Sequence, residues 1–481
     1  NNLQELDKNF SEEKKLFFSE HHLSHAASAY FASNFNNAIV LTADGVGEWA
    51  STTVAIAEGN ELEIIKEIKF PHSLGLLYSA FTYYTGFKVN GGEYKLMGLA
   101  PYGIPRFTKT IYDNLIDVKE DGSFSLNQKY FNYCTGLTMT NSKFADLFGH
   151  KTRDPNKESL NQFHMDIAAS LKIVKSLKKE FNKPNLCLAG GVALNCVANG
   201  KIYKEKIFEN IYVQPAAGDA GGSLGAALAF WHLELKNKRN NLKNNVDYMK
   251  GSYLGPEFSD DHIRKELREF GAVFDTFTQD EIIEKTAKLL SEGKSCGWFQ
   301  GRMEFGPSAL GNRSILADPR SEETQIKLNL KIKYRESFRP FAPSVLADYV
   351  SDWFEFNGSS PYMLIVSDIK QEKKIEMNNE EKKLFGINKL NIKRSEVPSI
   401  THVDYSARIQ TVTRENNNLY YKLIDKFNEF TGVPILVNTS FNIRGEPIVC
   451  SVKDAYRCFL TTELDFLVCG NQILERKKQF Q

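Results

Sequence analysis

The chain has 481 residues, too many for one ordinary hydrophobic core, so two or three domains are expected. With 42% hydrophobic and 25% charged residues it has a globular composition, and a net charge of +1 without a long basic block argues against nucleic acid or a membrane surface as the dominant partner. No apolar run is long enough to predict a membrane span, and the seven cysteines (Cys134, Cys187, Cys196, Cys296, Cys450, Cys458, Cys469) form no Cys-x-x-Cys pair, which suits buried thiols in a reducing cytoplasm.

Residues 19–30, Ser-Glu-His-His-Leu-Ser-His-Ala-Ala-Ser-Ala-Tyr, predict a helix with Ser19 as N-cap. His21 and His25 then share a face and can address one ion, although such pairs are also common on solvated faces and in polar core contacts. Residues 38–43 predict a buried strand ending at Asp44-Gly45-Val46-Gly47. Asp44 there can hold a metal or its waters, or simply close a turn. Residues 185–189 predict a second strand, running into Gly190, Gly191 and then Asn195. Such a turn lets a ligand lie against bare backbone at a helix N-terminus, or merely links strand to helix. Residues 211–213 predict a third strand, followed by Asp219 at the head of a Gly/Ala-rich segment. Asp219 can complete a two-His, one-carboxylate site with His21 and His25, or cap its helix. Each strand is expected to lead into a helix, the α/β arrangement in which ligands bind at the carboxyl ends of strands.

Residues 235–250 are polar and lack an apolar period, so they predict a linker or exposed connection between a first domain over 1–240 and a second over 250–481. Residues 370–394 predict an exposed insertion. Residues 300–314 are dense in Gly and Arg, and Lys331, Lys333 and Arg335 alternate ahead of Arg339. On an extended strand those three cations would share a face, to bind a phosphate or to protect a sheet edge. Residues 434–437 predict a strand entering Asn438-Thr439-Ser440-Phe441-Asn442, where Asn438 and Ser440 would meet a ligand's oxygens or form an Asx-turn.

Taken in order, the His-rich segment, Tyr94-Lys95-Leu96-Met97-Gly98-Leu99-Ala100, Ala189-Gly190-Gly191-Val192-Ala193-Leu194-Asn195, Phe338-Arg339-Pro340-Phe341-Ala342-Pro343-Ser344, and Asn438-Thr439-Ser440-Phe441-Asn442 with Arg444-Gly445-Glu446-Pro447 resemble the O-carbamoyltransferase family of the NodU and TobZ type. The resemblance implies an α/β protein of two domains. The first is an ASKHA (ribonuclease H-like) domain, and the second is a YrdC-like domain with a twisted mixed sheet. It implies that the second domain makes carbamoyladenylate from carbamoyl phosphate and Mg-ATP, and that the first passes the carbamoyl group to a hydroxyl of a small acceptor. It further implies a divalent metal, Fe(II) in such proteins, on His21, His25 and Asp219. Asp44 then lies beside phosphate and metal, and Gly190, Gly191 and Asn195 form a nucleotide cradle. Lys333 and Arg339 match catalytic positions. Lys95, Ser308, Met363, Arg408, Asn438, Ser440 and Arg444 match positions for substrate or nucleotide.

Two departures accompany the resemblance. The family's opening strand–hairpin segment, with its His-Asp-Ser-Ala-type motif, has no counterpart in residues 1–18, so the first domain is expected to lack its first strands. The family's Gly-Pro-Arg-Ala-Leu-Gly reads Gly306-Pro307-Ser308-Ala309-Leu310-Gly311, so carbamoyl phosphate is expected to bind more weakly unless Arg302 or Arg313 compensates. Alternatives of the same or another class are threonylcarbamoyl or HypF-type transfer, and a non-catalytic nucleotide-binding subunit. The expected setting is the cytoplasm, without nucleic acid or membrane, and with a homodimer left open.

Overall fold

The computed structural model describes residues 5, 8, 16–171, 183–239, 247–336, 338–384, 386–390 and 392–480. Its strands in chain order are β1 (Asn37–Gly47), β2 (Ala50–Glu58), β3 (Glu61–Lys69), β4 (Ile116–Val118), β5 (Phe124–Leu126), β6 (Asn185–Ala189), β7 (Asn210–Val213), β8 (Asp275–Thr276), β9 (Cys296–Phe299), β10 (Arg313–Ala317), β11 (Ala342–Leu346), β12 (Ile365–Asp368), β13 (Ser406–Val412), β14 (Ile435–Ser440), β15 (Phe466–Cys469) and β16 (Gln472–Glu475). They form a mixed α/β protein with two main sheets, ordered β3-β2-β1-β6-β7 and β12-β13-β11-β14-β10-β9-β15-β16-β8, and a separate β4-β5 hairpin.

The chain divides into two compact units that interleave along the sequence: one from within 1–75, 181–193 and 208–248, the other from within 76–180, 194–207 and 249–481. The expected domains, 1–240 and 250–481, are by contrast consecutive stretches of chain. Within the second unit, local packing joins segments distant in sequence. The helix Cys196–Lys204 lies on β12, where Gly200 lets it come so close that a Cβ would fall 2.1 Å from the Val366 carbonyl oxygen. Asn199 Nδ2 donates to the Leu364 carbonyl at 3.0 Å, and Lys204 pairs with Asp368 at 2.6 Å. Likewise Tyr102 donates its hydroxyl to the Phe338 carbonyl at 2.7 Å.

In the first unit, β1, β2 and β3 form an antiparallel meander, and β6 and β7 add to β1 in parallel. Strand β1 runs through Asp44 to Gly47, with a register shift between Ala43 and Gly47, and turns directly into β2 rather than into the expected helix. The helix His21–Tyr30 packs on this sheet with its alanines fully buried. It is not capped by Ser19: the N-cap is Glu20, without a side-chain cap bond, and the Ser19 hydroxyl instead accepts from Ser24 at 2.9 Å. The helix Asp219–Ala229 lies flush against it because Gly225 carries no side chain, and a Cβ there would sit 1.7 Å from the Ser24 carbonyl oxygen. The expected connection begins by anchoring rather than drifting. Arg239 donates to the carbonyls of Phe35 at 2.6 Å and Ser33 at 2.8 Å and stacks its guanidinium over Tyr30. Residues 240–246 of that connection lie outside the described residues.

The second unit's nine-stranded sheet is mixed, with parallel pairs β11/β13 and β9/β15 among antiparallel ones. Continuous apolar runs such as Ile315-Leu316-Ala317 and Ile435-Leu436-Val437 are buried on both faces, as expected of central strands covered by helices. The covering helices include Gln279–Ser291, which opens on a capping box between Thr278 and Glu281, and Asn418–Thr431. Lys331, Lys333 and Arg335 do not lie on a strand. Residues 328–332 are π-helical, so the three cations diverge: Lys331 pairs with Glu463 in solvent at 3.2 Å, whereas Lys333 turns inward. The 370–394 stretch is exposed over much of its length but ends in a buried residue, Arg394, whose guanidinium donates to the carbonyls of Lys389, Thr401 and His402. Among the described residues no helix is long and apolar enough to cross a membrane.

Candidate active site and metal centre

In the first unit, helical period and strand end bring four ligating groups together. His21 and His25 face the same way from their helix, and their Nε2 atoms lie 3.0 Å apart. Asp44, at the end of β1, brings Oδ2 to 2.9 Å from His25 Nε2 and 3.2 Å from His21 Nε2. Asp219, in the first turn of its helix, places Oδ1 3.7 Å from both nitrogens. Gly47 makes room for the His21 ring, which a Cβ would meet at 2.1 Å, and Gly75 makes room for the Asp44 backbone, whose carbonyl oxygen would lie 2.4 Å from a Cβ. Burial pushes the Asp44 carboxyl up, but the bonds from His25, the Gly45 N–H and His21 outweigh it and hold the group well below the usual carboxylate range. Neighbouring His22 is drawn down to about 4, first by burial and then by the adjacent His25 and His21 rings.

These groups suit a divalent cation. Two imidazole nitrogens and two carboxylate oxygens converge within 4.8 Å, a donor set acceptable to iron, manganese or zinc. Asp44 was expected beside phosphate and metal. Its carboxylate is in fact closer to both histidines than Asp219, which is the expected third ligand. Asp219 is also not the N-cap of its helix, since Gly218 occupies that position. Gly190, at φ 86°, and Gly191 run directly past β1: a Cβ on Gly191 would stand 3.0 Å from Asp44 Oδ1. The turn thus leaves bare backbone beside the carboxylate.

In the second unit, Asn195 is the N-cap of the helix Cys196–Lys204, its side chain accepting from the Ala198 N–H at 3.1 Å. The cationic residues gather elsewhere in this unit. Lys333 is buried, and its Nζ donates to the Ser440 carbonyl at 2.7 Å, the Ser440 hydroxyl at 3.2 Å, the Asn442 carbonyl at 2.8 Å and the Asn442 side-chain oxygen. Burial, then repulsion from Arg335 and Arg339, drives its ammonium well below the ordinary lysine range. Arg335 is disfavoured in the same sense by burial, Arg339 and Arg408. Arg339 lies over the Tyr94 ring at 4.5 Å. Glu336 offsets part of this positive charge, with Oε1 3.2 Å from Lys95 Nζ and 3.5 Å from Arg444. A half-buried cluster of cations that repel one another is a ready receptor for a polyanion.

The remaining predicted residues fall into two groups. Ser440 ends β14 within the cationic cluster's hydrogen bonds. Asn438, two residues earlier, is fully inside: its amide nitrogen contacts the Ala309 carbonyl, the Ser344 hydroxyl and Gln410 Oε1 at 2.9–3.2 Å, while its own oxygen is buried without a partner. Met363 is buried with φ 58°, a left-handed backbone unusual for a side chain of its size. Ser308 is half-buried in its loop. Neither suggested substitute for the family arginine is a free phosphate ligand: Arg313 is buried and donates to the carbonyls of Gln300, Asn312, Pro256 and Gly301, and Arg302 reaches Glu257 and the Gly255 carbonyl. The sequence reading missed Glu304, whose Oε1 accepts from the backbone N–H groups of Leu310, Asn312 and Arg313 and so shapes the loop that carries Ser308. An acidic residue opposite a glycine-rich turn was the available signal.

Comparison with known proteins gives the family. Residues 2–228 match the family model described as carbamoyltransferase N-terminus, and residues 287–476 match the one described as carbamoyltransferase C-terminus. The chain is 57% identical to an uncharacterized protein of Synechocystis sp. over 97% of its own length and 77% of that protein. It is 36% identical to nodulation protein NolO of Bradyrhizobium diazoefficiens, covering 95% of this chain and 79% of NolO. It is 37% identical to nodulation protein NolNO of Sinorhizobium fredii, covering 96% of this chain and 64% of NolNO, so it spans less than two thirds of that relative. The chain belongs to the carbamoyltransferase family that includes NolO and NolNO, and is a transferase of carbamoyl groups.

Proposed function

We propose that this carbamoyltransferase is ATP-dependent and acts on the hydroxyl of a small acceptor such as a sugar or natural product. In this reading the second unit consumes carbamoyl phosphate, ATP and one water. Hydrolysis of carbamoyl phosphate leaves carbamate and phosphate. A carbamate oxygen then attacks the α-phosphorus of ATP, giving carbamoyladenylate and pyrophosphate. The acceptor oxygen finally takes the carbamoyl carbon, its proton leaves to solvent or base, and AMP departs.

The observation that carries this proposal is the cationic cluster of Lys95, Lys333, Arg335, Arg339 and Arg408 in the second unit, where burial disfavours the unneutralised charges of Lys333, Arg335 and Arg339 and their cationic neighbours add repulsion. Negative charge that builds on a leaving pyrophosphate is stabilised most where cations are already fixed and partly dehydrated. Lys333 is held by Ser440 and Asn442, so its nitrogen is already fixed in position when the phosphates arrive. The side chains of His21, His25, Asp44 and Asp219 would hold the family's divalent metal, and the convergence of their ligating atoms within 4.8 Å fits it. Such an ion supplies Lewis-acid polarisation of a carbamoyl or phosphate oxygen. Gly190 and Gly191 leave backbone open beside Asp44 for the nucleotide.

The test is pyrophosphate release from Mg-ATP by metal-loaded protein, with and without carbamoyl phosphate and with no acceptor. Release that depends on carbamoyl phosphate is expected. Its absence from folded, metal-loaded protein would refute adenylation by this chain.

A further inference from the structure

A second cluster of ligating side chains, none of them assigned above, lies in the second unit. It is formed by the loop between the helices Ser142–Phe148 and Gln162–Leu171, which carries His150 and Glu158, and by the first turn of the second helix, which carries His164. His150 Nε2 is 3.2 Å from Glu158 Oε1, His164 Nε2 is 3.8 Å from the same oxygen, and all three ligating atoms lie within 4.8 Å of one another.

We propose that His150, Glu158 and His164 bind a divalent metal ion of the zinc class, which clips the 150–164 loop closed. Two imidazole nitrogens and one carboxylate oxygen are a donor set that selects a borderline divalent ion over calcium or magnesium.

Three observations point to a ligand rather than to an ordinary polar contact. The His164 side chain is 1% exposed and its Nε2, aimed into the cluster, has no hydrogen-bond partner. A buried ring nitrogen left unpaired is costly, and a metal ion would satisfy it. His150 donates from Nδ1 to the Lys151 carbonyl at 2.7 Å, which leaves its Nε2 lone pair directed at the cluster. A bond from the other ring nitrogen to a carbonyl is the usual way of fixing the tautomer of a metal-bound histidine. The His150 ring is further held by stacking on Phe163 at 4.4 Å, and the His150 carbonyl accepts from the Tyr84 hydroxyl at 2.6 Å.

The other polar neighbours are compatible with an ion. Asn161 Nδ2 donates to Glu158 Oε1 at 3.1 Å, which orients the carboxylate. Arg153 is turned to backbone, donating to the Glu158 carbonyl and to the Thr85 carbonyl, each at 3.0 Å. The Asn161 N–H reaches His164 Nδ1 at 3.2 Å, so a metal at Nε2 moves the ring proton to Nδ1 at the cost of that one long bond. His150 and Glu158 are 28% and 33% exposed, which leaves a path for the ion and room for water in the fourth position.

The proposal is independent of the carbamoyl-transfer reading and is tested by metal stoichiometry. The full chain, stripped with chelator, is titrated with Zn2+, and with Co2+ to read its visible absorption. Wild type is expected to bind about two equivalents, and His150→Ala about one. In a His21→Ala/His25→Ala background about one equivalent should remain, and adding Glu158→Gln should weaken it at least roughly tenfold. Zinc content unchanged by His150→Ala would overturn the proposal. So would a folded His21→Ala/His25→Ala protein that binds no zinc.

Discussion

The Nε2 atoms of His21 and His25 are 3.0 Å apart, and Asp44 Oδ2 lies within 3.2 Å of both. Two ring nitrogens at that separation share a single proton or a cation, and the carboxylate favours the cation. Removing either ring should empty the site. We expect His25→Ala and Asp44→Asn to lose bound iron, manganese or zinc while the protein stays folded. Asp219→Asn, whose carboxylate is 84% exposed and more distant, should weaken binding roughly 10- to 100-fold instead. Elemental analysis of purified variants checks the order, and equal metal content in Asp44→Asn and wild type would remove Asp44 from the ligand set.

The contact that aligns these ligands is itself testable. The helix Asp219–Ala229 reaches the helix His21–Tyr30 through Gly225, where a Cβ would come 1.7 Å from the Ser24 carbonyl oxygen and 2.9 Å from Ser28 Cβ. Backbone cannot yield as a side-chain tip can, so the helices must separate. Gly225→Ala should destabilise the protein by about 1–3 kcal/mol and reduce metal affinity by moving Asp219 outward. Urea midpoints and metal titration of the same variant read the two effects. A stable variant with full metal affinity would show that the helix contact is not needed to place Asp219.

What was legible in the sequence follows from how local each signal is. The His21/His25 pair could be read because four residues make one helical turn. The strands β6 and β14 could be read because buried strands are continuous apolar runs. The resemblance put Asp44 beside the metal, but that it lies nearer to both rings than Asp219 was not legible locally, since 23 residues separate it from His21 and only sheet and helix packing unite them. The alternation Lys331, Lys333, Arg335 misled because charge period two also fits a π-turn followed by an irregular segment. The compact units interleave because Gly200 and Asn199 dock a helix from the first half of the chain on β12, and neither residue carries an apolar pattern that would signal it.

Glu304 should give the second unit a distinct pH dependence. Burial raises its carboxyl above the ordinary 4.5, against the opposing N–H bonds of Asn312, Leu310 and Arg313. Between the ordinary value and the raised one, the folded chain keeps a proton that the unfolded chain has lost. Stability contributed by this group is therefore full below the ordinary value and is lost as pH rises through that window. Glu304→Gln keeps a carbonyl oxygen for the N–H groups and has no proton to lose, so its urea midpoint should fall less with pH. Parallel profiles for wild type and variant would show that Glu304 ionises as freely in the fold as in the unfolded chain.

In the proposed reaction Lys333, held by Ser440 and Asn442, faces the phosphates, and its substitution separates chemistry from folding. Lys333→Ala removes a buried amine together with its contacts to the carbonyls and side-chain oxygens of Ser440 and Asn442, which then keep only the bonds between Ser440 and Asn442 themselves. Lys333→Arg keeps the charge but cannot fit the same acceptors with one compact ammonium. Both variants should release pyrophosphate at least about 100-fold more slowly than wild type, and only Lys333→Ala should lose the charge that offsets the leaving group. Arg339→Ala, whose guanidinium lies over Tyr94 at the half-exposed side of the cluster, should chiefly raise the KM for ATP or carbamoyl phosphate. Steady-state pyrophosphate assays at saturating and limiting ATP distinguish these outcomes. A Lys333→Ala protein with wild-type kcat would assign Lys333 to holding the Ser440–Asn442 turn, and would leave the phosphates to the arginines.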